Sequence, residues 1–231
     1  MRHLIIGDIH GGYKALEQVL DDANFDPAED YLISVGDYCD GWPDTNKVIE
    51  FLSNLDNFTG VIGNHDIWFR DWCKDILHPT DFPLWYRQGG QATLESYGIT
   101  DDLSEKDKVP EHHKEFLCDL LPYYEFRNNV VVHGGFHTSF PVHKQSERDL
   151  AWNRSLWYEA KATQRVFGRY TRIYIGHTSI GQGPPVKCGN VVNLDTGGGW
   201  EGVLTLMCAD TGNYWQSDKV RRLYPKATGR V

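Results

Sequence analysis

Five short segments of the chain carry aspartate, asparagine and histidine side chains of the kind that metal sites use, and each follows an apolar run. They are Gly-Asp-Ile-His-Gly at 7–11, Gly-Asp-Tyr-Cys-Asp at 36–40, Gly-Asn-His-Asp at 63–66, His-Gly-Gly at 133–135 and Gly-His-Thr at 176–178. Such side chains are costly at the end of a buried strand unless a partner satisfies them. Five such strand ends meeting at one edge of a core therefore predict a metal centre.

The candidate metal ligands are all nitrogen or oxygen donors: Asp8, His10, Asp37, Asn64, His133 and His177. A mixed set of this kind suits Mn²⁺, Fe or Zn²⁺ better than Ca²⁺, which prefers oxygen ligands alone. The set is too large for one tetrahedral ion and fits two divalent ions about 3.5–4 Å apart that share one carboxylate. Two such ions lower the pKa of a shared water and clamp the oxygens of a phosphoryl group, which is the chemistry of phosphoester hydrolysis.

The elements that must position these ligands alternate between strand and helix over the first third of the chain. Apolar spacing predicts strands at 2–6, 31–35 and 58–62 and helices at 12–23 and 44–55. This β-α-β-α-β order predicts a parallel sheet with right-handed crossovers. Ligands bind at the carboxyl ends of the strands in such sheets, and the first three segments lie there.

The middle of the chain, about 67–121, is predicted to be a helical cap. One apolar stripe is formed by Trp68, Phe69, Trp72, Ile76 and Leu77, and it is interpreted as cap core rather than as a base-stacking surface. Strands are predicted again at 123–127, 129–133, 172–176, 191–194, 202–209 and 214–217. Gly212-Asn213 predicts a hairpin turn between the last two. The basic segment 224–231 is predicted to be mobile.

The composition indicates the class of protein but carries little information about its substrate. A length of 231 residues and a hydrophobic content of 40% predict a single domain, 1–231. The start of the sequence is not typical of a secretory signal, and no stretch approaches a membrane span. The five cysteines form no CxxC pair, which favours free thiols in a reducing compartment and a cytoplasmic location. A formal net charge of −9 provides no global electrostatic attraction to nucleic acid or an anionic membrane, so neither is expected as a partner.

The five segments, in this order, resemble the phosphoprotein-phosphatase branch of the calcineurin-like metallophosphoesterases, and the resemblance covers residues 1 to about 200. Because the third segment ends in Asp66 rather than glutamate, the resemblance is to the bacterial and phage type. It implies an α/β fold, a four-layer α/β/β/α metallophosphoesterase sandwich with a helical cap insertion. It also implies that Asp8 and His10 bind the first metal, that Asp37 bridges, and that Asn64, His133 and His177 bind the second. By the same resemblance His65 is the general acid, and Asp40 hydrogen-bonds His65, fixes its tautomer and raises its pKa.

The chain departs from this family at the arginines that ordinarily bind the substrate phosphate. The family has Asp-Arg-Gly where this chain has Asp40-Gly41-Trp42, and an arginine where this chain has Ile62. Phosphate binding is therefore expected from Arg154, Asn64, His65 and Arg70. Arg154 could instead pair with Glu147 or Asp149 at the surface, and Arg70 could lie on a solvated helix face.

The predicted function is a binuclear metal-dependent phosphatase, with Mn²⁺ the first choice of metal and Fe or Zn²⁺ possible. It would hydrolyse phosphomonoesters, as a phosphoserine/phosphothreonine protein phosphatase does, by attack of a metal-bridging hydroxide. Two alternatives stay open: a nucleotide hydrolase (dinucleoside tetraphosphatase or cyclic phosphodiesterase) and a catalytically decayed metal-binding module. Cys39 is interpreted as a packing residue, and Gly197-Gly198-Gly199 as a turn near the site. The oligomeric state is left open.

Overall fold

The strands of the chain form two mixed sheets of five strands each. The structure is a computed structural model that describes residues 1–230. The first sheet contains β1 (His3–Ile6), β2 (Tyr31–Ser34), β3 (Phe58–Gly60), β9 (Thr205–Cys208) and β10 (Tyr214–Gln216). The second contains β4 (Tyr124–Phe126), β5 (Asn129–Val131), β6 (Arg172–Ile175), β7 (Val186–Cys188) and β8 (Val191–Asn193).

Each sheet combines three parallel strands with two strands in antiparallel pairing. The first has the order β10-β9-β1-β2-β3, in which β1, β2 and β3 are parallel. The second has the order β4-β5-β6-β8-β7, in which β5, β6 and β8 are parallel. Because parallel strands end at the same edge, the segments that follow β1, β2 and β3 meet there, and so do those that follow β5 and β6.

Alternation of apolar side chains along the strands builds the layers. Ile5 and Ile33 on the first sheet pack with Tyr174 on the second, in a cluster between the two sheets. Leu4 and Ile6 point the other way and pack with the helices of the first half. The outer face of the second sheet packs against the helices of the second half. This is the four-layer α/β/β/α sandwich that the resemblance predicts, and that prediction is confirmed.

Nine α-helices lie within residues 1–230. They are α1 (Tyr13–Asp22), α2 (Thr45–Ser53), α3 (Asn64–Cys73), α4 (Phe82–Trp85), α5 (Gln91–Ser96), α6 (Glu111–Asp119), α7 (Glu147–Trp152), α8 (Ser155–Thr163) and α9 (Val220–Leu223). A π-helical turn covers Tyr86–Gly90, and 3₁₀ turns cover Lys106–Lys108 and Val142–Lys144. None of these helices is both long and apolar enough to cross a bilayer.

The middle segment is helical in the structure, as the sequence predicts. Its helices α3 to α6 share one hydrophobic cluster with α1 and α2, so they extend the outer helical layer of the first sheet. Trp68, Phe69 and Trp72 are buried there. Ile76 is 64% exposed, because it follows the end of α3 and no longer shares the buried face.

Residues 224–230 follow a defined path along the surface. The Tyr224 ring stacks on that of Trp42 at 5.5 Å, and its hydroxyl donates to Asp44 at 2.7 Å. Further on, the Arg230 N–H donates to the Gly199 carbonyl at 3.1 Å. The predicted mobility of 224–231 stays a prediction, and Val231 lies outside the described residues.

Candidate metal centre

The Asp37 carboxylate lies between two groups of candidate ligands. One group is Asp8, His10 and Asp37, and the other is Asp37, His133 and His177; within each, the ligand atoms lie within 4.8 Å of one another. The Asp37 Oδ2 atom is 3.5 Å from His10 Nε2 and 3.3 Å from His133 Nε2. The structure therefore brings together the ligands that the sequence singles out, with one carboxylate common to both groups.

Two of the histidines are oriented by backbone carbonyls. His10 Nδ1 lies 2.9 Å from the Cys39 carbonyl oxygen, and His133 Nδ1 lies 2.9 Å from the Val35 carbonyl oxygen. A carbonyl only accepts, so each Nδ1 carries a proton, and in the neutral ring Nε2 keeps the lone pair. Both Nε2 atoms face Asp37, which is the arrangement in which histidine binds a metal through one nitrogen and is held through the other. Asn64 Oδ1 lies 3.2 Å from His133 Nε2 and belongs to the same cluster.

Two buried polar atoms at this site have no hydrogen-bond partner among residues 1–230. They are Asp8 Oδ1 and His177 Nε2. The other oxygen of Asp8 accepts the His177 N–H at 2.9 Å, so the two residues are linked across the sheets. Buried polar atoms without a partner are rare in folded proteins and call for an unplaced ion or water. Both atoms fit a divalent cation as ligands.

Carboxylates crowd the site, and their electrostatics favour bound cations. Burial and the neighbouring charge of Asp195 raise the pKa of Asp8 well above its usual range. Burial likewise raises the pKa of Asp195 to about 6. Burial acts on Asp37 in the same direction, but the imidazoles of His133 and His65 outweigh it and hold its pKa well below the usual range. Several buried carboxylates that raise one another's pKa are stabilised when a divalent ion supplies the missing positive charge.

The histidines respond to the same surroundings. Burial lowers the pKa of His10 to about 4 and that of His177 to about 2, so both are neutral at pH 7. Burial also opposes the charged form of His133, but the Asp37 carboxylate beside it overcomes this and raises the pKa to about 9. Neutral imidazole is the form that binds a metal, and a cation in place of the His133 proton would keep Asp37 neutralised.

Two glycines permit the loops to approach this closely. A Cβ atom added to Gly63 would lie 2.1 Å from Asp37 Oδ1, and one added to Gly176 would lie 2.0 Å from Asp8 Oδ1. Neither distance is sterically possible. These glycines are therefore required because a carboxylate of a neighbouring loop lies against the backbone there.

Left-handed backbone conformations recur among the site residues. His10, Asp37, Asp40 and His177 have φ values of 50°, 58°, 72° and 64°. Such conformations cost about 1–3 kcal/mol each for residues other than glycine and concentrate at functional sites. The turns after β1, β2 and β6 are strained in order to aim these side chains inward.

Asp66 ties the loop after β2 to the start of α3. Its Oδ2 accepts the N–H groups of Asp37 at 2.8 Å and Gly63 at 2.9 Å. Its Oδ1 accepts those of Tyr38 at 2.9 Å and Cys39 at 3.3 Å. Asp66 is also the third residue of α3, where a carboxylate caps the helix N-terminus. One buried carboxylate thus fixes the backbone that carries both Asp37 and Asn64.

Asp66→Asn is expected to destabilise the fold. The asparagine amide would turn an N–H₂ donor towards two buried backbone N–H groups that now share one carboxylate oxygen. Two unsatisfied donors at about 1–3 kcal/mol each predict a loss of roughly 2–6 kcal/mol in the free energy of unfolding. Urea denaturation measures this loss, and the exposed Asp101→Asn is the matched control. A loss below about 0.5 kcal/mol, the range of ordinary surface substitutions, would contradict this role.

His65 and Asp40 form the predicted pair. His65 Nδ1 lies 2.6 Å from Asp40 Oδ2, and both side chains are buried. Asp40 also accepts the Trp85 indole N–H at 2.9 Å and the Thr93 hydroxyl at 2.7 Å. Burial lowers the pKa of His65 and raises that of Asp40, so the predicted rise in the pKa of His65 is not what the structure shows. The hydrogen bond between His65 Nδ1 and Asp40 that the resemblance implies is present, and it fixes the orientation of the His65 ring.

The two arginines proposed from the sequence differ in their surroundings. Arg70 makes two hydrogen bonds to Glu147, at 2.9 and 2.8 Å, and one to Asp71 at 3.1 Å. Its guanidinium is thus engaged in joining α3 to α7, and its binding of substrate phosphate stays a prediction that these contacts disfavour. Arg154 is exposed and makes no ion pair within residues 1–230. Its charge contributes to the low pKa of His177, so it lies within electrostatic reach of the ligands.

Several residues of the site were not found from the sequence. Asp195 follows β8, and Trp85 and Thr93 come from the middle segment. The glycine run at 197–199 lies against the first segment, because a Cβ added to Gly199 would be 2.3 Å from a His10 ring carbon. This is the turn near the site that the sequence predicts. A third group of possible ligands, Glu50, His112 and His113, lies apart from these residues at the α2–α6 contact.

A two-sheet α/β/β/α sandwich with carboxylate, amide and imidazole donors at its strand ends defines a metal-dependent phosphoester hydrolase. The chain belongs to the calcineurin-like phosphoesterase family, whose sequence profile matches residues 1–194. It is 38% identical over 175 residues to serine/threonine-protein phosphatase 2 of Escherichia coli, covering 74% of this chain and 75% of that protein. It is 28% identical over 210 residues to serine/threonine-protein phosphatase 1 of Salmonella typhimurium, covering 89% and 91%.

A solved structure has the same fold. It has been assigned provisionally as a diadenosine tetraphosphatase, and it superposes with a TM-score of 0.68 at 22% identity over 93% of this chain and 92% of that one. At that identity the likeness shows the fold alone. Together these findings confirm the resemblance drawn from the five segments and its bacterial protein-phosphatase branch.

Proposed function

We propose that the chain is a binuclear metal-dependent phosphatase that hydrolyses phosphomonoesters, with phosphoserine and phosphothreonine proteins as its substrate class. The position of Asp37 carries this proposal, because its carboxylate belongs to two ligand groups at once. The names of the two bacterial relatives support the substrate class. Mn²⁺ is the proposed metal, since the donors are nitrogen and oxygen without thiolate. The proposed location is the cytoplasm, in keeping with five free cysteines.

Each residue has a proposed role in the reaction. Two divalent ions, when bound, would supply a nucleophilic oxygen at neutral pH and would neutralise charge on the phosphate. Asp8 and His10 would hold the first ion, Asn64, His133 and His177 would hold the second, and Asp37 would serve both. His65 protonates the leaving oxygen.

The surrounding residues fix the atoms that act. Asp40 holds His65 through Nδ1, which leaves Nε2 as the atom that can exchange a proton with the substrate. Trp85 and Thr93 hold Asp40 in turn. The Cys39 and Val35 carbonyls fix the tautomers of His10 and His133, and Asp66 fixes the turn that presents Asp37. The role of this chain is therefore to pre-organise ligands and one proton donor.

A substrate panel separates this proposal from the nucleotide hydrolase. Four substrates are compared with Mn²⁺ bound: p-nitrophenyl phosphate, a phosphoserine peptide, bis-p-nitrophenyl phosphate and diadenosine tetraphosphate. The kcat/KM for each of the first two is expected to be at least about tenfold above that for either of the last two, a difference of about 1.4 kcal/mol in transition-state stabilisation. Steady-state kinetics measure these constants, with chelator-treated protein as the control. Preference for the dinucleotide would contradict the protein-phosphatase assignment. Bound metal without turnover on any of the four would favour the decayed module.

A further inference from the structure

The side chain of Arg230 reaches the candidate metal centre. Its Nη1 lies 3.3 Å from His10 Nε2, and its Nη2 donates to Gln88 Oε1 at 3.3 Å. The guanidinium carbon lies 4.7 Å above the Trp200 ring. No sequence pattern indicates this contact, since Arg230 lies 220 positions from His10.

Gly41 and Trp42 stand where the family has arginine and glycine. Gly41 leaves space for the Arg230 side chain, and Trp42 packs against the backbone that leads to it. A Cβ added to Gly41 would lie 2.9 Å from Arg230 Cγ, and Gly41 has a φ of 116°, so no side chain fits there. Trp42 holds the approaching backbone: Tyr224 stacks on its ring, and a Cβ added to Gly229 would lie 2.8 Å from the same ring. Arg230 thus occupies the space beside residue 41, next to Asp40.

The guanidinium of Arg230 has no carboxylate partner among residues 1–230. None lies within 4.0 Å, and the buried Nε has no hydrogen-bond partner in the described part of the chain. Its charge nevertheless acts on the site, since it contributes to the lowered pKa of both His10 and His65. An arginine held by stacking, with free N–H groups beside a metal centre, is suited to bind a phosphate through two parallel hydrogen bonds.

We propose that Arg230 binds the substrate phosphate and replaces, in space, the arginine that residue 41 lacks. The inference rests on the proposed phosphatase function. His10 Nε2 has one lone pair, so it serves either the Arg230 N–H or a metal. When His10 binds a metal, the Nη1 N–H loses that acceptor and is free for a phosphate oxygen. The stacking on Trp200 and the bond to Gln88 keep the guanidinium at the site.

The test compares wild type, Arg230→Ala and Arg230→Lys, all loaded with Mn²⁺. Isothermal titration of inorganic phosphate is expected to show affinity about 10–100-fold weaker in Arg230→Ala, the range for one hydrogen bond to a charged group. The KM for p-nitrophenyl phosphate should rise by a similar factor, with Mn²⁺ content unchanged. Arg230→Lys should recover part of the affinity, because lysine supplies the charge without the fork geometry. The exposed Arg222→Ala is the matched control and should match wild type.

Two results would overturn the inference. One is unchanged phosphate affinity and KM in Arg230→Ala. The other is tighter Mn²⁺ binding in that variant with phosphate affinity unchanged, because Arg230 would then compete with the metal rather than bind the substrate. Loss of the proposed function gives a different result, in which wild type itself hydrolyses no phosphoester.

Discussion

Asp37→Asn is expected to abolish metal binding and phosphoester hydrolysis together. The carboxylate Oδ2 lies between His10 Nε2 and His133 Nε2, and a neutral amide cannot offer negatively charged oxygens to both ligand groups. Loss of metal-derived stabilisation worth several kcal/mol predicts a fall in kcat/KM of at least about 10³-fold. Metal analysis by mass spectrometry and p-nitrophenyl phosphate kinetics measure the two effects.

The fold should tolerate this substitution. Asparagine has nearly the same shape, and its carbonyl oxygen can still accept the His65 N–H that Asp37 Oδ1 accepts at 3.1 Å. It also removes one charge from a crowded group of carboxylates. A circular dichroism melt checks this, and Asp101→Asn controls for loss of one negative charge elsewhere. Two ions per chain with a rate within tenfold of wild type would rule out Asp37 as the shared ligand.

His65→Asn is expected to keep both metals and lose rate. His65 is held through Nδ1 by Asp40, and its other nitrogen, once protonated, is the proposed proton donor for the leaving oxygen. General acid catalysis contributes about 10²–10⁴-fold, and the loss in kcat should fall in that range for a phosphoserine peptide, whose alkoxide leaving group needs the proton. For p-nitrophenyl phosphate the loss should be smaller, because nitrophenolate leaves without protonation.

The comparison of the two leaving groups is the internal control for this variant. A merely structural loss would slow both substrates equally, whereas a missing acid slows the alkyl ester more. Metal content should stay at two ions per chain. If the phosphopeptide rate were untouched, the assignment of His65 as the acid would be wrong, and Asp40 would have to be reinterpreted as a packing residue of the Trp85 and Thr93 network.

The features predictable from the sequence are those set by local spacing. Asp8 and His10 stand two residues apart after an apolar run, and the same order of apolar run, glycine and polar residue recurs at four of the five segments, while His133 follows its apolar run directly. That pattern predicts the strand, its end and the side chain placed there. The two-sheet core is implied instead by the family resemblance, and the apolar runs of β1 and β2 agree with it, since successive side chains point to opposite faces of the first sheet.

The remaining features depend on contacts between distant parts of the chain. Thr93 joins Asp40 across 53 positions, and Arg230 meets His10 across 220. Neither residue lies in a segment with a chemical pattern of its own. Arg70 shows the reverse case: its position after the third segment suggests substrate binding, but α7 places Glu147 opposite it. Helices α7 and α8 and strand β7 were not predicted, because their apolar spacing is short and irregular.

The shared carboxylate at Asp37 has a consequence for how the protein matures. Asp8, His10 and Asn64 come from the first 64 positions, whereas His133 and His177 follow strands of the second sheet. No stretch of chain emerging early from the ribosome contains a full set of donors for the second ion. Tight capture of the proposed second ion would therefore wait until the two sheets have docked, since a preformed site does not exist before then. Folding of both halves would thus precede acquisition of that ion, and a chain whose halves fail to meet would remain without it.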